Sequence, residues 1–306
     1  MALITRYWSS KVLPSFPEIG RIEVSSELAR ELFTAAESLP LYDNREFYSP
    51  DLQLHVLDRI RQACRDGFDW LANSIRERIG KRPYCVLVVG LHFDEGNKLF
   101  VAINRAFGEL VALPYKQPRA QLVHYIEPAT DIPSSRGGRE SERLHTDTAD
   151  WETPVEFISM LCVRADQSGD GRSRILDLDA VRDEVKDRLG TETLRLLETE
   201  PVPWQLADCR GGGLTWRTVL TESSMCWRRY TIDIALDSNP VSLSRRMLAA
   251  LDAFEEMIST TPRTVEFLMR EGELLFSDNT RTIHARTPIT EGASDRLMIR
   301  SWIRAA

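Results

Sequence analysis

A histidine and an aspartate lie two residues apart where a polar stretch, RLHTDTADW (143–151), runs into an apolar segment, EFISMLCV (156–163). Residues i and i+2 of an extended chain project to the same side, so His145 and Asp147 can contact one common object. That object could be a metal ion or a proton, and such a pair is also common in surface turns. Since the chain has only five histidines, the positions of the others are informative.

A third candidate ligand, His284, lies in the C-terminal stretch LLFSDNTRTIHARTPITEGASDRLMIRSWIR (274–304). With it, the chain offers two imidazoles and one carboxylate. Three ligands on one face leave up to three open positions on an octahedral metal, as in non-haem Fe(II) oxygenases. A structural zinc site would be closed by four ligands, usually with cysteine, and the sequence offers no evident fourth. The pattern therefore favours an open metal site.

Two arginines follow His284 in a segment, 295–304, that is predicted to be a strand. Positions 296, 298, 300 and 302 share one face of such a strand, so Arg296 and Arg300 should project together, about 13 Å apart. Inward-facing arginines are costly to bury unless anionic groups meet them. The anion can belong to a ligand, although Arg300 could equally form an ion pair within the protein.

The elements that must position these residues fall into two groups. The first third is mainly helical, since apolar residues recur at helical spacing along 52–79 and a second helix is expected over 98–110. A buried strand, 84–91, lies between them. The remainder is mostly strand, interrupted by one amphipathic helix at 243–258. The predicted strands are 121–128, 155–163, 173–178, 214–220, 227–236, 272–277 and 295–304.

This order of elements predicts the fold class. Many strands with flanking helices favour an α+β fold, a β-sandwich or open barrel buttressed by helices, over a parallel βαβ sheet. No linker is evident, so we expect one domain, 1–306, with its mainly helical N-terminal third (about 1–115) packed on the β-core. The turn-rich polar loop 129–142, just before His145, is a candidate lid.

Composition argues against several classes of function. The net charge of −7 argues against a nucleic acid or an anionic membrane as partner. The first residues lack the apolar core of a secretory signal, and no run of apolar residues is long enough for a membrane span. The five cysteines are scattered without a CxxC pair, which is typical of reduced thiols. We expect a cytoplasmic protein, and the sequence makes no prediction of its oligomeric state.

The segments LHTDTADW…FISMLCVRADQSGDGRSRILDL and FSDNTRTIHART…DRLMIRSWIR resemble the Fe(II)/2-oxoglutarate-dependent oxygenases. The similarity is to the taurine dioxygenase-like superfamily and its clavaminate synthase-like, amino-acid-hydroxylating branch. It covers roughly residues 121–304. The family pattern is HxD or HxE, a long interval, then a histidine and an arginine about ten to fourteen residues later. His145, Asp147, His284 and Arg296 fill that pattern.

The resemblance implies a double-stranded β-helix (jelly-roll) core, with Fe(II) as cofactor and with 2-oxoglutarate and O2 as cosubstrates. His145, Asp147 and His284 would be the iron ligands. Halogenating members of the family have a small residue in place of the carboxylate, so that a halide can bind iron. Asp147 leaves no such vacancy, so hydroxylation, desaturation or oxidative ring formation is expected.

The resemblance also assigns roles to residues around the iron. Arg296 would bind the distal carboxylate of 2-oxoglutarate, for which a planar guanidinium is suited, with Ser173 in GRSRIL as a hydroxyl partner. Ser173 could also be an ordinary strand hydroxyl. Arg300 takes the position at which several members bind the acidic group of the substrate. Asn279, in DNTRTIH, is expected to shape the turn before His284 rather than to take part in the chemistry.

The implied function is oxidation of an unactivated C–H bond of a small molecule, most naturally an amino acid or a derivative in a biosynthetic pathway. Two alternatives stay open. One is a catabolic oxygenase of the taurine dioxygenase type that acts on a small anion. The other is a metal-bearing jelly-roll protein that binds a ligand without turnover.

Overall fold

The computed structural model of the protein describes residues 19–112, 122–127, 143–289 and 296–305. Within these ranges, no helix is both long and apolar enough to cross a membrane. The helices are α1 (Ser26–Glu37), α2 (Pro50–Ala63), α3 (Arg65–Ile79), α4 (Lys98–Arg105), α5 (Leu178–Glu184), α6 (Thr191–Thr199), α7 (Arg229–Ser238) and α8 (Arg245–Thr260). Short helical turns lie at Glu46–Tyr48, Val185–Leu189 and Asp208–Arg210.

The strands are grouped into one large sheet and two small ones. They are β1 (Gly20–Glu23), β2 (Cys85–Val89), β3 (Gly108–Val111), β4 (His124–Ile126), β5 (Phe157–Arg164), β6 (Ser173–Asp177), β7 (Val202–Gln205), β8 (Leu214–Arg217), β9 (Val265–Phe267), β10 (Leu274–Asp278), β11 (Thr282–Arg286) and β12 (Leu297–Ala305). The large sheet has the order β1-β2-β10-β5-β12-β3, with β4 also paired to β12. The small sheets are β11-β6-β9 and β7-β8. Apart from the parallel pair β1–β2, the pairings are antiparallel.

Serine caps fix where three of the helices begin. The Ser25 hydroxyl accepts a hydrogen bond from the Leu28 amide (3.2 Å) at the start of α1, and Ser49 does the same for Leu52 (3.3 Å) at the start of α2. Ser244 caps α8 in the same way. Each cap satisfies one of the amides that a first helical turn leaves without a partner, so these boundaries are encoded locally.

The long strands divide their side chains between two layers. In β10, Leu274 and Phe276 pack with the N-terminal helices, whereas Leu275 faces the sheet β11-β6-β9. In β6, Ile175 packs toward the large sheet and Leu176 toward the helices α5 to α8. This alternation is the period of two of a strand that is buried on both faces. The described residues thus form four layers, helices, large sheet, small sheet and helices, and the expectation of a mixed fold of sheets and helices is confirmed.

The prediction of a strand over 227–236 is wrong, because residues from Arg229 onward form α7 and the two residues before it belong to no strand. The alternation of Tyr230, Ile232 and Ile234 indicated a half-buried strand, but Tyr230 is exposed and the buried residues are Thr231, Ile232 and Ala235. Packing of this helical face against β7 overrides the β-propensity of the isoleucines.

Two helix predictions are corrected in their bounds. The apolar stripe 52–79 is divided between α2 and α3, because Cys64 leaves the helical conformation (φ −129°, ψ 43°). The stripe itself is buried from Val56 to Ile75. The helix expected over 98–110 ends at Arg105, and the next residues form β3, since pairing with β12 satisfies their backbone groups.

Replacing Phe276 tests the interface between the large sheet and the N-terminal helices. Its ring is fully buried, and its centroid lies 4.3 Å from that of Phe107. We expect Phe276→Ala to lower the free energy of unfolding by roughly 3–5 kcal/mol, as loss of a buried aromatic ring does. Tyr230→Ala, at an exposed position, should change it by less than about 0.5 kcal/mol. Urea-induced unfolding measures both, and equal effects would contradict the layered core.

Candidate metal centre

Two backbone hydrogen bonds join the candidate ligands His145 and His284. The amide of His145 donates to the carbonyl of His284 (3.0 Å), and the amide of His284 donates to the carbonyl of His145 (2.9 Å). The two residues therefore form an antiparallel β-bridge that adds residue 145 to the edge of β11. Side chains of directly opposed residues project to the same side of a sheet, and the two imidazole centroids lie 4.7 Å apart.

Asp147 follows in a turn that Asn279 holds in place. The Asn279 side-chain oxygen accepts from the amide of Asp147 (2.9 Å), and its nitrogen donates to the carbonyls of Asp147 (3.1 Å) and Val155 (2.8 Å). Thr148 adopts φ +56°, which costs of order 1–3 kcal/mol for a β-branched residue. Its hydroxyl accepts from the Val155 amide (2.9 Å). The turn is thus a strained conformation that buried hydrogen bonds maintain.

The donor atoms of the three residues converge. They lie within 4.8 Å of one another, with His145 Nε2 3.6 Å from Asp147 Oδ1 and His284 Nε2 3.8 Å from Asp147 Oδ2. Adjacent ligands of an octahedral ion at about 2.1 Å are about 3 Å apart, so small side-chain rotations would close the set around one metal. Two imidazoles and one carboxylate on one face are the donor set of non-haem Fe(II) sites. The residues present therefore fit Fe(II).

The protonation of the site also suits a metal. His145 Nδ1 lies 2.8 Å from the carbonyl of Arg143, which can only accept, so Nδ1 donates and Nε2 is the ring nitrogen that faces Asp147. Burial lowers the pKa of His284 to about 3, which keeps its imidazole neutral. Burial raises the pKa of the Asp147 carboxyl, but Arg300 with His145 and His284 outweighs burial and holds that pKa well below its usual range. His284 is therefore neutral and Asp147 ionised near neutral pH, and these are the forms that bind a metal.

One oxygen of Asp147 is already engaged by the protein. Oδ2 accepts hydrogen bonds from Arg300 Nη1 (2.9 Å) and Trp302 Nε1 (2.7 Å). Arg300 Nη2 also lies 3.4 Å from His124 Nδ1. Burial, followed by the charge of Arg300, lowers the pKa of His124 to about 4, so its ring is neutral and can accept from the guanidinium.

A cavity between the large sheet and the sheet β11-β6-β9 begins at His284. Arg296, Arg300 and Ser173 all line it, so Arg296, just before β12, and Arg300 within it project to the same side, as the sequence predicts. The rest of its lining is mainly apolar: Ile126, Ile158, Met160, Arg174, Ile175, Leu275, Ser277, Ala285, Arg286 and Met298. Among these described lining residues the charged side chains are all arginines.

A glycine makes room for the arginine in this cavity. Gly171 has φ +65°, and a Cβ there would lie 3.1 Å from Ile289 and 3.2 Å from Arg296 Nε. A larger residue would therefore be strained in its backbone and would press on the guanidinium of Arg296. Arg296 itself is 7% exposed, so its charge is buried at this end of the cavity.

The sequence-based site is largely reproduced in space. His145, Asp147 and His284 lie together, Ser173, Arg296 and Arg300 line the adjoining cavity, and the candidate lid 129–142 lies outside the described residues. Asn279 shapes the turn, as expected. Sequence reasoning missed the contact of Trp302 with Asp147, although position 302 lies on the strand face that the two arginines define.

Removal of the Asn279 side chain tests the construction of the turn. Asn279→Ala leaves three buried backbone groups without partners, and each costs about 1–3 kcal/mol. We expect the free energy of unfolding to fall by at least about 3 kcal/mol, with weaker metal binding because Asp147 is no longer held. The matched control is Asn73→Ala at an exposed helical position, which should be nearly neutral. Chemical unfolding distinguishes them, and a neutral Asn279→Ala would show that the turn does not depend on this clamp.

Comparisons with known proteins identify relatives of the chain. The family model described as "Taurine catabolism dioxygenase TauD, TfdA family" matches residues 57–302. No curated protein matches the chain.

Several solved structures share its fold. An asparagine oxygenase in complex with Fe(II), 2S,3S-3-hydroxyasparagine and succinate is 16% identical, with a TM-score of 0.70 over 93% of each chain. The non-heme iron oxygenase OrfP in complex with Fe and alpha-ketoglutaric acid is 17% identical, with a TM-score of 0.72 over 94% of this chain and 95% of that one. A further OrfP structure holds Fe, succinate and (3S)-hydroxy-L-Arg, at 16% identity and a TM-score of 0.72, over 94% of this chain and 95% of that one.

The family match covers most of the chain, and it agrees with the ligand set and with the fold. The prediction of a non-haem Fe(II)/2-oxoglutarate-dependent dioxygenase is thereby confirmed. The chain belongs to the taurine catabolism dioxygenase TauD, TfdA family.

Proposed function

We propose that the protein oxidises an unactivated C–H bond of an amino acid or an amino-acid derivative. The observation that carries this proposal is the cluster of His145, Asp147 and His284 at one end of a cavity lined by arginines. The cluster can hold one metal ion and leave positions open on it. The cavity can hold an anionic cosubstrate next to that ion.

Arg296 is the proposed partner of the distal carboxylate of 2-oxoglutarate. Its guanidinium is buried between the two sheets and lines the same cavity as His284. A cosubstrate that binds a metal at His284 could therefore extend along the cavity and place its distal carboxylate next to Arg296. A guanidinium binds a carboxylate through two parallel hydrogen bonds. Ser173, 8% exposed on the neighbouring strand β6, can add a third hydrogen bond from its hydroxyl.

Bound Fe(II) would supply activation of O2, with 2-oxoglutarate oxidised to succinate and CO2. The chain's own residues bind and orient. His145, Asp147 and His284 hold the metal on one face, and Arg296 fixes the far end of the cosubstrate. The apolar walls from β5 and β10 exclude water from the space between them, which strengthens these electrostatic contacts.

Arg300 is proposed to bind the acidic group of the substrate. Its Nη1 is held by Asp147, while its Nε is buried and has no hydrogen-bond partner among the described residues. A buried donor without a partner costs free energy, so a substrate carboxylate that accepts from Nε would be favoured. The asparagine oxygenase and OrfP structures hold hydroxylated asparagine and arginine, which supports an amino-acid-like substrate for this chain as well.

A catabolic oxygenase acting on a small anion is the second candidate. The description of the family as taurine catabolism dioxygenases and the arginine-rich cavity both favour it. Incubation with Fe(II), 2-oxoglutarate and a panel of free amino acids, taurine and related sulfonates separates the two. Succinate release with an amino acid, and a product heavier by one oxygen or lighter by two hydrogens, supports the first. Succinate and sulfite from a sulfonate alone would support the second, and no substrate-dependent succinate from either group would contradict both candidates.

We also propose the finer features of the architecture. The large sheet and the sheet β11-β6-β9, which face each other across the cavity, suit the two halves of a double-stranded β-helix, or jelly roll. The large sheet takes strands from both ends of the chain, which supports a single domain over 1–306. All five cysteines are free, in keeping with a cytoplasmic location.

The metal ligands are tested by replacing each histidine. We expect His145→Ala and His284→Ala to abolish succinate formation and to weaken Fe(II) binding strongly, because two donors cannot hold the ion as three do. His55→Ala, on the exposed side of α2, is the matched control and should keep both properties. Undiminished turnover in both site variants would refute the metal assignment.

The role of Arg296 is tested by two substitutions. Breaking a buried charge pair typically costs roughly 3–5 kcal/mol, so Arg296→Ala should raise the apparent KM for 2-oxoglutarate by about 100-fold or more. Arg296→Lys keeps the charge but loses the planar fork, so its KM should fall between the two. Fe(II) affinity without 2-oxoglutarate should change little in either variant. An unchanged KM for Arg296→Ala would assign the distal carboxylate to another residue.

A further inference from the structure

The two oxygens of the Asp147 carboxylate have different surroundings. Oδ2 accepts from both Arg300 Nη1 and Trp302 Nε1, at 2.9 and 2.7 Å. A carboxylate oxygen offers about two lone-pair directions, and both are used here. Oδ1 lies 3.6 Å from His145 Nε2, and Oδ2 lies 3.8 Å from His284 Nε2. Both oxygens therefore lie near a candidate ligand, but Arg300 and Trp302 donate to Oδ2 alone, which leaves Oδ1 as the oxygen available to a metal.

This difference matters for the number of positions on the metal. An octahedral ion with three protein donors has three positions left. A 2-oxoglutarate that chelates through two oxygens and one O2 would fill all three. If both oxygens of Asp147 bound the ion, one of these positions would be lost. The carboxylate therefore has to bind through one oxygen only.

We propose that Trp302 is a positioning residue that makes Asp147 a one-oxygen ligand; this rests on the proposed Fe(II)/2-oxoglutarate function. The indole N–H occupies Oδ2 together with Arg300, and Oδ1 is directed to the metal. A hydrogen bond to the second oxygen of a ligating carboxylate both orients the ligand and tunes its affinity for the ion.

Trp302 is held more firmly than Arg300 for this task. The indole is 7% exposed and packs edge-on against Trp151, with ring centroids 5.5 Å apart. An indole has two side-chain torsions and a single N–H donor. Once that N–H donates to Asp147, the side chain has no second donor with which to bind another group. Arg300 instead has several N–H donors and lines the cavity, where a bound substrate can accept hydrogen bonds from it. The guanidinium carbon of Arg300 lies 4.8 Å from the Trp302 ring centroid, so the two donors also support each other.

Two substitutions separate the N–H from the bulk of the ring. Trp302→Phe keeps an aromatic ring but removes the donor. Trp302→His removes the outer ring but keeps a donor, because imidazole Nε2 superimposes on indole Nε1 when the five-membered rings coincide. The probe is Co(II), titrated into the metal-free full-length protein under anaerobic conditions and read by calorimetry and visible absorption. A second titration adds 2-oxoglutarate to the Co(II)-loaded protein.

We expect Trp302→Phe to raise the Kd for Co(II) by about 10- to 100-fold, the usual effect of losing an outer hydrogen bond to a metal ligand. It should also weaken 2-oxoglutarate binding to the Co(II) form, because the freed carboxylate can take a second position on the ion. Trp302→His should stay within about threefold of the wild type for both. The thermal unfolding temperature should have the opposite order, with Trp302→Phe above Trp302→His, since His fills less of the core than Phe.

The opposite ranking of affinity would overturn the proposal, as would Co(II) and 2-oxoglutarate affinities that are unchanged in Trp302→Phe. If Trp302→Phe does not fold, a folded Trp302→His with a Co(II) affinity tenfold below that of the wild type also contradicts it. The His284→Ala variant is the control for the assumption that the metal binds at this site. Wild-type protein that binds Co(II) no better than His284→Ala would reject the proposed function and this inference together, whereas normal wild-type binding with no effect at residue 302 rejects the inference alone.

Discussion

The pair of backbone hydrogen bonds between His145 and His284 is the constraint on which the site depends. It joins a turn near the middle of the chain to a strand near its end, and it sets both imidazoles on one side of the small sheet. Everything else at the centre is arranged relative to this bridge. Asp147 reaches the same point because only one residue separates it from His145, and Asn279, in the turn between β10 and β11, then holds Asp147 in place. Two segments distant in sequence thus become one rigid ligand frame.

Burial of the Asp147 carboxylate is costly. It is 2% exposed, and an unpaired charge in such a place would be strongly destabilising. Arg300 and Trp302 compensate from β12, and the two histidines face it from the other side. A bound divalent cation would add to this compensation. The metal-free protein therefore carries a pre-formed anionic ligand whose stabilisation already comes from the groups that orient it, which is the electrostatic preorganisation that active sites require.

The sequence predicted the parts of this arrangement that follow from local rules. The alternation of side chains along a strand placed Arg296 and Arg300 together, and the residue types and spacing of His145, Asp147 and His284 indicated the candidate metal ligands. Features that depend on tertiary packing could not be predicted from these local rules. The segment 227–236 alternates like a strand, yet packing on β7 makes it a helix. The contact between Trp302 and Asp147 depends on the turn at Thr148. No pattern of residue types predicts the positive φ of that residue.

One face of β12 carries most of what the site needs beyond its metal ligands. Arg296, Met298, Arg300 and Trp302 follow each other at alternate positions, and three of them line the cavity. In order along the chain they offer a buried guanidinium, an apolar side chain, a second guanidinium and the indole that donates to Asp147. Because β12 lies between β5 and the pair β3 and β4, its backbone is held on both edges. A single paired strand can therefore fix the distances between the two guanidinium groups and the Asp147 carboxylate, which separate loops could not do with the same precision.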